Sequence, residues 1–183
     1  MTDREALDRL LLERSVRRGD FVLASGQRSS YYIDCRLTTM SAPGMVLIGR
    51  LGLAAIHAAG WTPEAVGGLT MGADPVSYAI AAASAAGSPV DAFSVRKEAK
   101  QHGTGQQIEG NFRPGARVVV VEDVITSGGS ALKAIEAVTA AGGTVLGVLA
   151  VVDREQGGRQ RLEAAGHSVV ALTTSSALGL ASG

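Results

Sequence analysis

The sequence predicts an α/β fold with a mostly parallel central sheet flanked by helices. From residue 65 onward, short apolar segments that favour strands alternate with longer segments that favour helices, which is the pattern of right-handed β-α-β crossovers. Two of the strand segments, residues 118–121 and 145–152, are almost entirely apolar. Such runs are typical of central parallel strands that are covered on both faces.

The first 60 residues predict two helices separated by a hairpin. Apolar and charged residues alternate at helical spacing from Ala6, and Gly19 supplies a favourable C-terminal cap, so we expect a helix that ends near residues 18–19. Strands at 21–24 and 30–35 follow, joined by a turn at 25–28. Pro43 suits the start of the second helix, and Gly60 follows its end.

The remainder of the chain supplies the alternating elements of the predicted sheet. The predicted strands are 65–69, 90–96, 117–121, 144–152 and 168–172, the predicted helices are 73–86, 127–141 and 156–165, and a polar loop spans 97–111. No repeat or linker divides the sequence, so we expect one domain over residues 1–183. Residues 43–183 would form its α/β core, and residues 1–42 would cap the edge of the sheet. Ligands of such sheets bind beyond the carboxyl ends of the strands.

Composition excludes several classes of function. The 17 basic and 17 acidic residues balance, which argues against a general nucleic-acid binder. The single cysteine, Cys35, excludes an internal disulfide and a zinc site made of cysteines. No apolar stretch is long enough to span a bilayer, and the first residues lack the apolar core of a signal peptide. We therefore expect a cytoplasmic protein with no nucleic-acid or membrane partner.

An acidic pair and a small-residue loop follow the strand predicted at 117–121. Glu122 and Asp123 come first, and the loop consists of Val124, Ile125, Thr126, Ser127, Gly128, Gly129 and Ser130. Small residues let backbone N–H groups approach an anion, and the start of the next helix adds partial positive charge. The loop lacks the lysine of a Walker A motif and the spacing of a dinucleotide fingerprint. It predicts a site for one phosphate monoester with acids nearby for sugar hydroxyls; the alternative is an ordinary turn with solvated acids.

A basic segment follows the strand predicted at 90–96. Arg96, Lys97, Lys100 and His102 lie within seven positions, in a stretch with little apolar content. Such a loop suits a pyrophosphate leaving group, whose negative charge grows as the bond breaks. It is also suited to act as a lid that excludes water. The alternative is a solvated surface loop.

Both segments resemble motifs of the orotate phosphoribosyltransferases, a family with the type I phosphoribosyltransferase fold. Residues 118–130 resemble the ribose-phosphate signature, and residues 96–102 resemble the catalytic loop. Three further segments match in the expected order: 21–34 is similar to the N-terminal hood, 66–75 to the pyrophosphate loop, and 151–154 to the strand end that contacts orotate. The resemblance implies Mg²⁺-dependent transfer of the 5-phosphoribosyl group from phosphoribosyl pyrophosphate to orotate, giving orotidine 5′-phosphate and pyrophosphate in the de novo synthesis of UMP.

The resemblance also implies roles for individual residues. The loop Thr126 to Ser130 would hold the 5′-phosphate, and Val124 and Ile125 would belong to the same phosphoribosyl pyrophosphate site. Glu122 and Asp123 would face the ribose hydroxyls, and Thr126 and Arg154 would contact orotate. Lys100 would close on the pyrophosphate and act in catalysis with the two acids, assisted by Arg96, Lys97 and His102. The Mg²⁺ would be held mainly by the substrate. The catalytic loop would reach into the neighbouring subunit's site, which implies a homodimer with shared active sites.

The sequence departs from the family pattern at two places, and two alternative functions remain open. Many members have a lysine where this chain has Ala24, and a Tyr-Lys pair where it has Thr70 and Met71, so two cationic contacts are missing. One alternative is a phosphoribosyltransferase for another base, such as a purine. The other is a non-catalytic sensor of phosphoribosyl pyrophosphate on the same fold. The retained basic loop favours an enzyme, since binding alone would not require it.

Overall fold

The apolar runs of the sequence form the middle of a six-stranded sheet in the computed structural model, which describes residues 1–22, 28–98 and 107–180. The sheet strands are β3 (Ala65–Leu69), β4 (Asp91–Val95), β5 (Ile108–Gly110), β6 (Arg117–Ile125), β7 (Thr144–Asp153) and β8 (Val169–Thr174). Their order is β5-β4-β3-β6-β7-β8, and all neighbouring pairs are parallel except β4 and β5. The predicted α/β architecture with a mostly parallel sheet is confirmed.

Helices cover both faces of the sheet. They are α1 (Asp3–Arg14), α2 (Arg36–Thr39), α3 (Ala42–Ala58), α4 (Ala73–Ser84), α5 (Gly129–Ala140) and α6 (Gly158–Ala164). Because successive strand residues point to opposite faces, Val119 and Val121 pack with α1, α3 and α4, whereas Val118 and Val120 pack with α5 and α6. The valine run of β6 is therefore buried from both sides.

The N-terminal region combines α1 with an antiparallel hairpin of β1 (Val16–Val22) and β2 (Arg28–Ile33). The prediction that the first helix ends near Gly19 is wrong. The helix ends at Arg14, because Val16 and the two residues after it pair with the end of β2. Pairing of β1 with β2 overrides the local helix signal of these residues. The predicted hairpin turn falls largely outside the described residues.

Three other elements differ from the sequence prediction. The short helix α2 was not predicted, and β5 lies inside the segment predicted as a polar loop, where it pairs with β4. Strand β6 runs on to Ile125, so the acidic pair lies within the strand rather than after it. Pairing with β7 extends along this whole segment and explains the extra length, since Ile125 still pairs with Asp153.

Helix α3 follows its sequence signals closely. The Ser41 side chain accepts a hydrogen bond from the backbone N–H of Gly44 at 3.2 Å and caps the helix start, next to Pro43. Beyond its end, Gly60 takes a positive φ of 72°, which glycine adopts without strain. Across the described ranges, no helix has both the length and the apolar character needed to cross a membrane.

Candidate active site

A cavity of about 570 Å³ opens at the carboxyl ends of β3, β6 and β7, the position where parallel α/β sheets bind ligands. We call it the site cavity. The hood contributes residues 32–36 to its wall, and the loop after β3 contributes residues 69–72. The predicted site residues that line it are Lys97, Glu122, Asp123, Val124, Thr126, Ser127, Ser130 and Arg154. The fold thus brings together residues that are spread over more than half of the sequence.

The phosphate loop lies between β6 and α5 and is held from behind by α6. Gly128, the N-cap of α5, has a positive φ of 75°, a conformation that favours glycine. Gly158 packs so tightly under the loop that a Cβ on it would lie 2.5 Å from the carbonyl oxygen of Thr126. Arg161 on α6 donates from Nη1 to the carbonyl oxygen of Ser127 at 3.3 Å. The first N–H groups of α5 have no partner within the helix, so this loop presents donors to an anion.

The acidic pair is strongly desolvated. Glu122 is only 7% exposed, and burial raises its pKa to about 8, with a further contribution from the charge of Asp123. Burial also raises the pKa of Asp123, whose Oδ1 accepts a hydrogen bond from the backbone N–H of Val124 at 2.9 Å. Neither carboxyl forms an ion pair with any residue in the described ranges. Both are therefore available to ribose hydroxyls or to a cation.

The site cavity suits a magnesium ion that arrives with a phosphorylated substrate. Mg²⁺ prefers oxygen ligands and usually combines one or two carboxylates with phosphate oxygens. Asp123, and Glu122 once it has released its proton, supply such carboxylates to the cavity. Within the described parts of the chain, no group of three or more His, Cys, Asp or Glu residues is placed to hold a metal ion by itself. The donor set therefore fits a metal that is shared with the substrate.

Arg154 is a buried cation at the end of β7, and its side chain is only partly satisfied. The residue is 4% exposed, its guanidinium lies 4.7 Å from the centre of the Tyr31 ring, and Nη2 donates to Ser29 Oγ at 3.2 Å. Its buried Nε finds no hydrogen-bond partner among the residues that the structure describes. Burying a charge without a counterion is costly, and a planar guanidinium matches a carboxylate. This position therefore suits a planar, anionic ligand.

The remaining predicted site residues are placed differently. The side chain of Ile125 lies in the apolar core, and Gly128 and Gly129 form the turn into α5 without lining the cavity. Arg96 donates from Nε to Glu109 Oε1 at 3.0 Å and does not line the cavity either. Lys100 and His102 lie outside the described residues, as does Ala24. Their predicted roles remain predictions.

The structure adds wall residues to those predicted from the sequence. Asp34, Cys35 and Arg36 follow β2 and line the cavity, and burial strongly raises the pKa of the Cys35 thiol. An Asp-x-Arg spacing directly after a strand was the available signal for this group. In the loop after β3, the Thr70–Met71 peptide bond is cis, and the Thr70 hydroxyl donates to the carboxylate of Asp74.

Known proteins resemble this chain over nearly its full length. Residues 43–167 match the family model described as "Phosphoribosyl transferase domain". The orotate phosphoribosyltransferase of Rhodopirellula baltica is 49% identical over 177 residues, which cover 93% of this chain and 91% of that protein. That of Aquifex aeolicus is 47% identical, with 94% and 95% covered.

Solved structures agree with the sequence comparison. The crystal structure of Mycobacterium tuberculosis orotate phosphoribosyltransferase in complex with 5-phospho-alpha-D-ribosyl 1-diphosphate superimposes with a TM-score of 0.83 at 43% identity, covering 98% of this chain and 100% of that one. The fold is the type I phosphoribosyltransferase fold, as the sequence resemblance implied. The phosphate loop, the acidic pair and Arg154 occupy one cavity of that fold, and the chain belongs to the orotate phosphoribosyltransferase family of the phosphoribosyltransferases.

Proposed function

We propose that the site cavity transfers the 5-phosphoribosyl group of phosphoribosyl pyrophosphate to orotate, forming orotidine 5′-phosphate and pyrophosphate. This is the reaction of an orotate phosphoribosyltransferase, and it belongs to the synthesis of UMP. The observation that carries the proposal is the meeting of three kinds of group in one cavity: a phosphate loop at Thr126–Ser130, two desolvated carboxyls, and the buried guanidinium of Arg154. Each corresponds to one part of the two substrates.

The sugar phosphate is the first part. Its 5′-phosphate would accept hydrogen bonds from the backbone and hydroxyl groups of the loop Thr126–Ser130, with Thr126, Ser127 and Ser130 lining the cavity. Holding this phosphate positions the anomeric carbon and lowers the entropic cost of the reaction. Glu122 and Asp123, which line the cavity near the end of β6, would then bind the ribose hydroxyls.

The second part is the pyrophosphate leaving group. The ring nitrogen of orotate forms a bond to the anomeric carbon and loses its proton, while the bond to pyrophosphate breaks and its electron pair leaves with the pyrophosphate. Positive charge develops on the ribose, and the carboxylate of Asp123, together with Glu122 once it has released its proton, favours that charge. Lys97 lines the cavity, and together with Lys100, Arg96 and His102 it would stabilise the departing charge. Arg96 would have to exchange its contact with Glu109 for this role.

A magnesium ion, when bound, neutralises charge on the pyrophosphate and favours its departure. Oxygens of the substrate would supply most of its ligands. The carboxyl groups of Glu122 and Asp123 are the protein oxygens suited to complete the set, because they are desolvated and have no counterion in the described ranges.

The third part is orotate itself. Its carboxylate and ring carbonyls offer planar acceptors to Arg154, whose Nε has no partner within the described chain. The guanidinium carbon lies 4.7 Å from the centre of the Tyr31 ring, and this cation–π contact supports the side chain. Thr126 lines the cavity together with Arg154, so its hydroxyl would contact orotate from the phosphate side.

We also infer a homodimer with shared active sites. A second cavity of about 480 Å³, which we call the side cavity, adjoins the site cavity and is lined by the exposed apolar residues Leu37, Met40 and Met71. Val46 on α3 is also 57% exposed. Apolar surface of this kind suits contact with a second copy of the chain. Asp34, Arg36 and Met71 line both cavities, so a partner there would reach the active site. The highly charged substrates favour a cytoplasmic location.

One turnover assay tests the proposed reaction. The purified chain is incubated with phosphoribosyl pyrophosphate, Mg²⁺ and, in separate reactions, orotate, uracil, adenine and hypoxanthine, and pyrophosphate release is followed. We expect release with orotate and little with the other bases. Preference for another base would support that phosphoribosyltransferase instead, and binding of phosphoribosyl pyrophosphate without release from any base would support a sensor. Chelation of Mg²⁺ by EDTA should abolish the release, and added Mg²⁺ should restore it.

A further inference from the structure

Arg36 is a cation on the cavity wall that the proposed mechanism does not use. It starts the short helix α2 and lines the site cavity together with Met71 and Gly72 from the loop after β3. Arg36 also lines the side cavity, together with Met71. Its side chain is 47% exposed, so a ligand in the cavity can reach it.

Asp34 holds the guanidinium of Arg36 in a defined orientation. Nε of Arg36 donates to Oδ1 of Asp34 at 2.8 Å, Nη2 donates to Oδ2 at 3.1 Å, and the backbone N–H of Arg36 donates to Oδ1 at 3.2 Å. The two side chains thus form a bidentate pair. An arginine has five N–H donors, and Nη1 makes no hydrogen bond to any residue that the structure describes. One edge of the guanidinium is fixed, and the other is available to a ligand.

The charges around Arg36 indicate what that ligand is. Among the described residues of the cavity wall, the cations are Arg36, Lys97 and Arg154. Arg154 stacks on Tyr31 at the orotate position, and the loop after β3 contributes the uncharged Thr70 and Met71. Burial raises the pKa of Asp123, and the charge of Arg36 opposes that shift, which places the guanidinium within electrostatic reach of Asp123. A multiply charged anion beside Asp123 needs a cation in this place.

We propose that Arg36 binds the pyrophosphate group of phosphoribosyl pyrophosphate, and that Asp34 positions its guanidinium for this contact. The inference rests on the proposed function, because it assumes that the pyrophosphate lies between the acidic pair and the loop after β3. Free donors on Nη1 and Nη2 would bind non-bridging phosphate oxygens, which a planar guanidinium matches well. Arg36 would thereby supply the charge that Thr70 and Met71 lack.

The test compares two arginine–aspartate pairs of similar exposure. Arg36→Ala removes the proposed contact, and Arg36→Lys keeps the charge but loses the two-pronged geometry. Arg50→Ala is the matched control, because Arg50 pairs with Asp3 at 3.1 Å and does not line the site cavity. Calorimetry measures the Kd of pyrophosphate with Mg²⁺ and the Kd of ribose 5-phosphate for each variant, and steady-state kinetics measures KM for both substrates.

We expect Arg36→Ala to weaken pyrophosphate binding about tenfold and to raise KM for phosphoribosyl pyrophosphate to a similar extent. Arg36→Lys should recover part of the loss. Ribose 5-phosphate binding and KM for orotate should stay within about twofold of wild type, as should every value for Arg50→Ala. An unchanged Kd for pyrophosphate would overturn the inference, and so would equal weakening of ribose 5-phosphate, which would indicate a purely structural role. Because pyrophosphate binding is measured without turnover, a wild-type chain that is inactive towards orotate would refute the proposed function separately.

Discussion

Gly72 packs directly against the carboxyl group of Asp123: a Cβ on Gly72 would lie 2.5 Å from Oδ1 of Asp123 and 2.7 Å from its Cγ. Gly68, four residues earlier, approaches the backbone of β6 in the same way, since a Cβ there would lie 2.1 Å from the carbonyl oxygen of Val121. The loop after β3 therefore packs directly against the acidic end of β6, because neither Gly68 nor Gly72 has a Cβ to separate them. This contact places the proposed pyrophosphate and ribose subsites next to each other.

Gly72→Ala tests this contact. The added methyl group cannot fit beside the carboxyl group, so Asp123 or the loop after β3 must move. We expect kcat/KM for phosphoribosyl pyrophosphate to fall at least about tenfold, because misplacement of catalytic groups by a fraction of an ångström is costly. The control is Gly87→Ala, since a Cβ on Gly87 would lie 3.9 Å from its nearest neighbour, the carbonyl oxygen of Ser84. Wild-type kinetics in a folded Gly72→Ala variant would contradict the prediction.

Arg154→Ala should impair orotate binding selectively. The substitution removes the buried guanidinium that stacks on Tyr31, and we expect KM for orotate to rise about 100-fold, in line with the loss of a charge-assisted bidentate contact. The Kd of ribose 5-phosphate should change little, since the phosphate loop is separate. Arg113→Ala is the control, because Arg113 is exposed and lines a different cavity. Thermal unfolding shows whether both variants are folded. Equal losses for orotate and ribose 5-phosphate would argue against this assignment.

Glu122→Gln should flatten the dependence of stability on pH. Burial raises the pKa of Glu122 from an ordinary value of 4.5 to about 8. Between these values the folded chain keeps a proton that the unfolded chain has released, so the free energy of unfolding falls as pH rises from about 4.5 to about 8. The loss in wild type should be on the order of 5 kcal/mol, and glutamine, which does not titrate, should abolish this part of it. Urea unfolding at several pH values measures both chains; parallel pH curves would refute the prediction.

Lys100→Ala tests the role that the sequence resemblance implies for the basic loop. If Lys100 stabilises the departing pyrophosphate, its removal should lower kcat by about 100-fold or more, with a much smaller change in the Kd of phosphoribosyl pyrophosphate. Lys133→Ala provides the control, since Lys133 is an exposed lysine on α5 that does not line the site cavity. Unchanged turnover in Lys100→Ala would exclude this role.

Mixing two impaired variants, assayed at an orotate concentration near the wild-type KM where each is nearly inactive, tests whether the active sites are shared. In a dimer whose loop completes the partner's site, a heterodimer of Lys100→Ala and Arg154→Ala subunits retains one site with both residues intact. Random exchange of equal amounts should therefore restore about a quarter of wild-type activity. Sedimentation analysis should show a dimer for wild type and both variants. If every site used the Lys100 and Arg154 of one subunit, the mixture would stay inactive.

The agreement between sequence and structure depends on how local each signal is. The strand at Ala65–Leu69 was predicted with its observed bounds, and α3 was predicted to within one residue at each end, because apolar runs, prolines and capping residues act over a few positions. The predictions failed where pairing with another strand decides the secondary structure. Val16 joins a strand because Ile33 pairs with it, and Ile108 does so because Val95 pairs with it.

The sequence by itself determined the alternating fold and the chemistry of the phosphate loop, the acidic pair and Arg154, because these depend on residue type and short spacing. Only the tertiary structure decided which of these groups share a cavity. It buried Glu122 enough to raise its pKa, placed Arg154 over the Tyr31 ring, and put Arg36 on the wall of the same cavity as Gly72. Burial and the proximity of distant residues arise when strands that are far apart in the chain pair with each other. Their carboxyl ends then meet at one edge of the sheet, and no local sequence pattern contains that information.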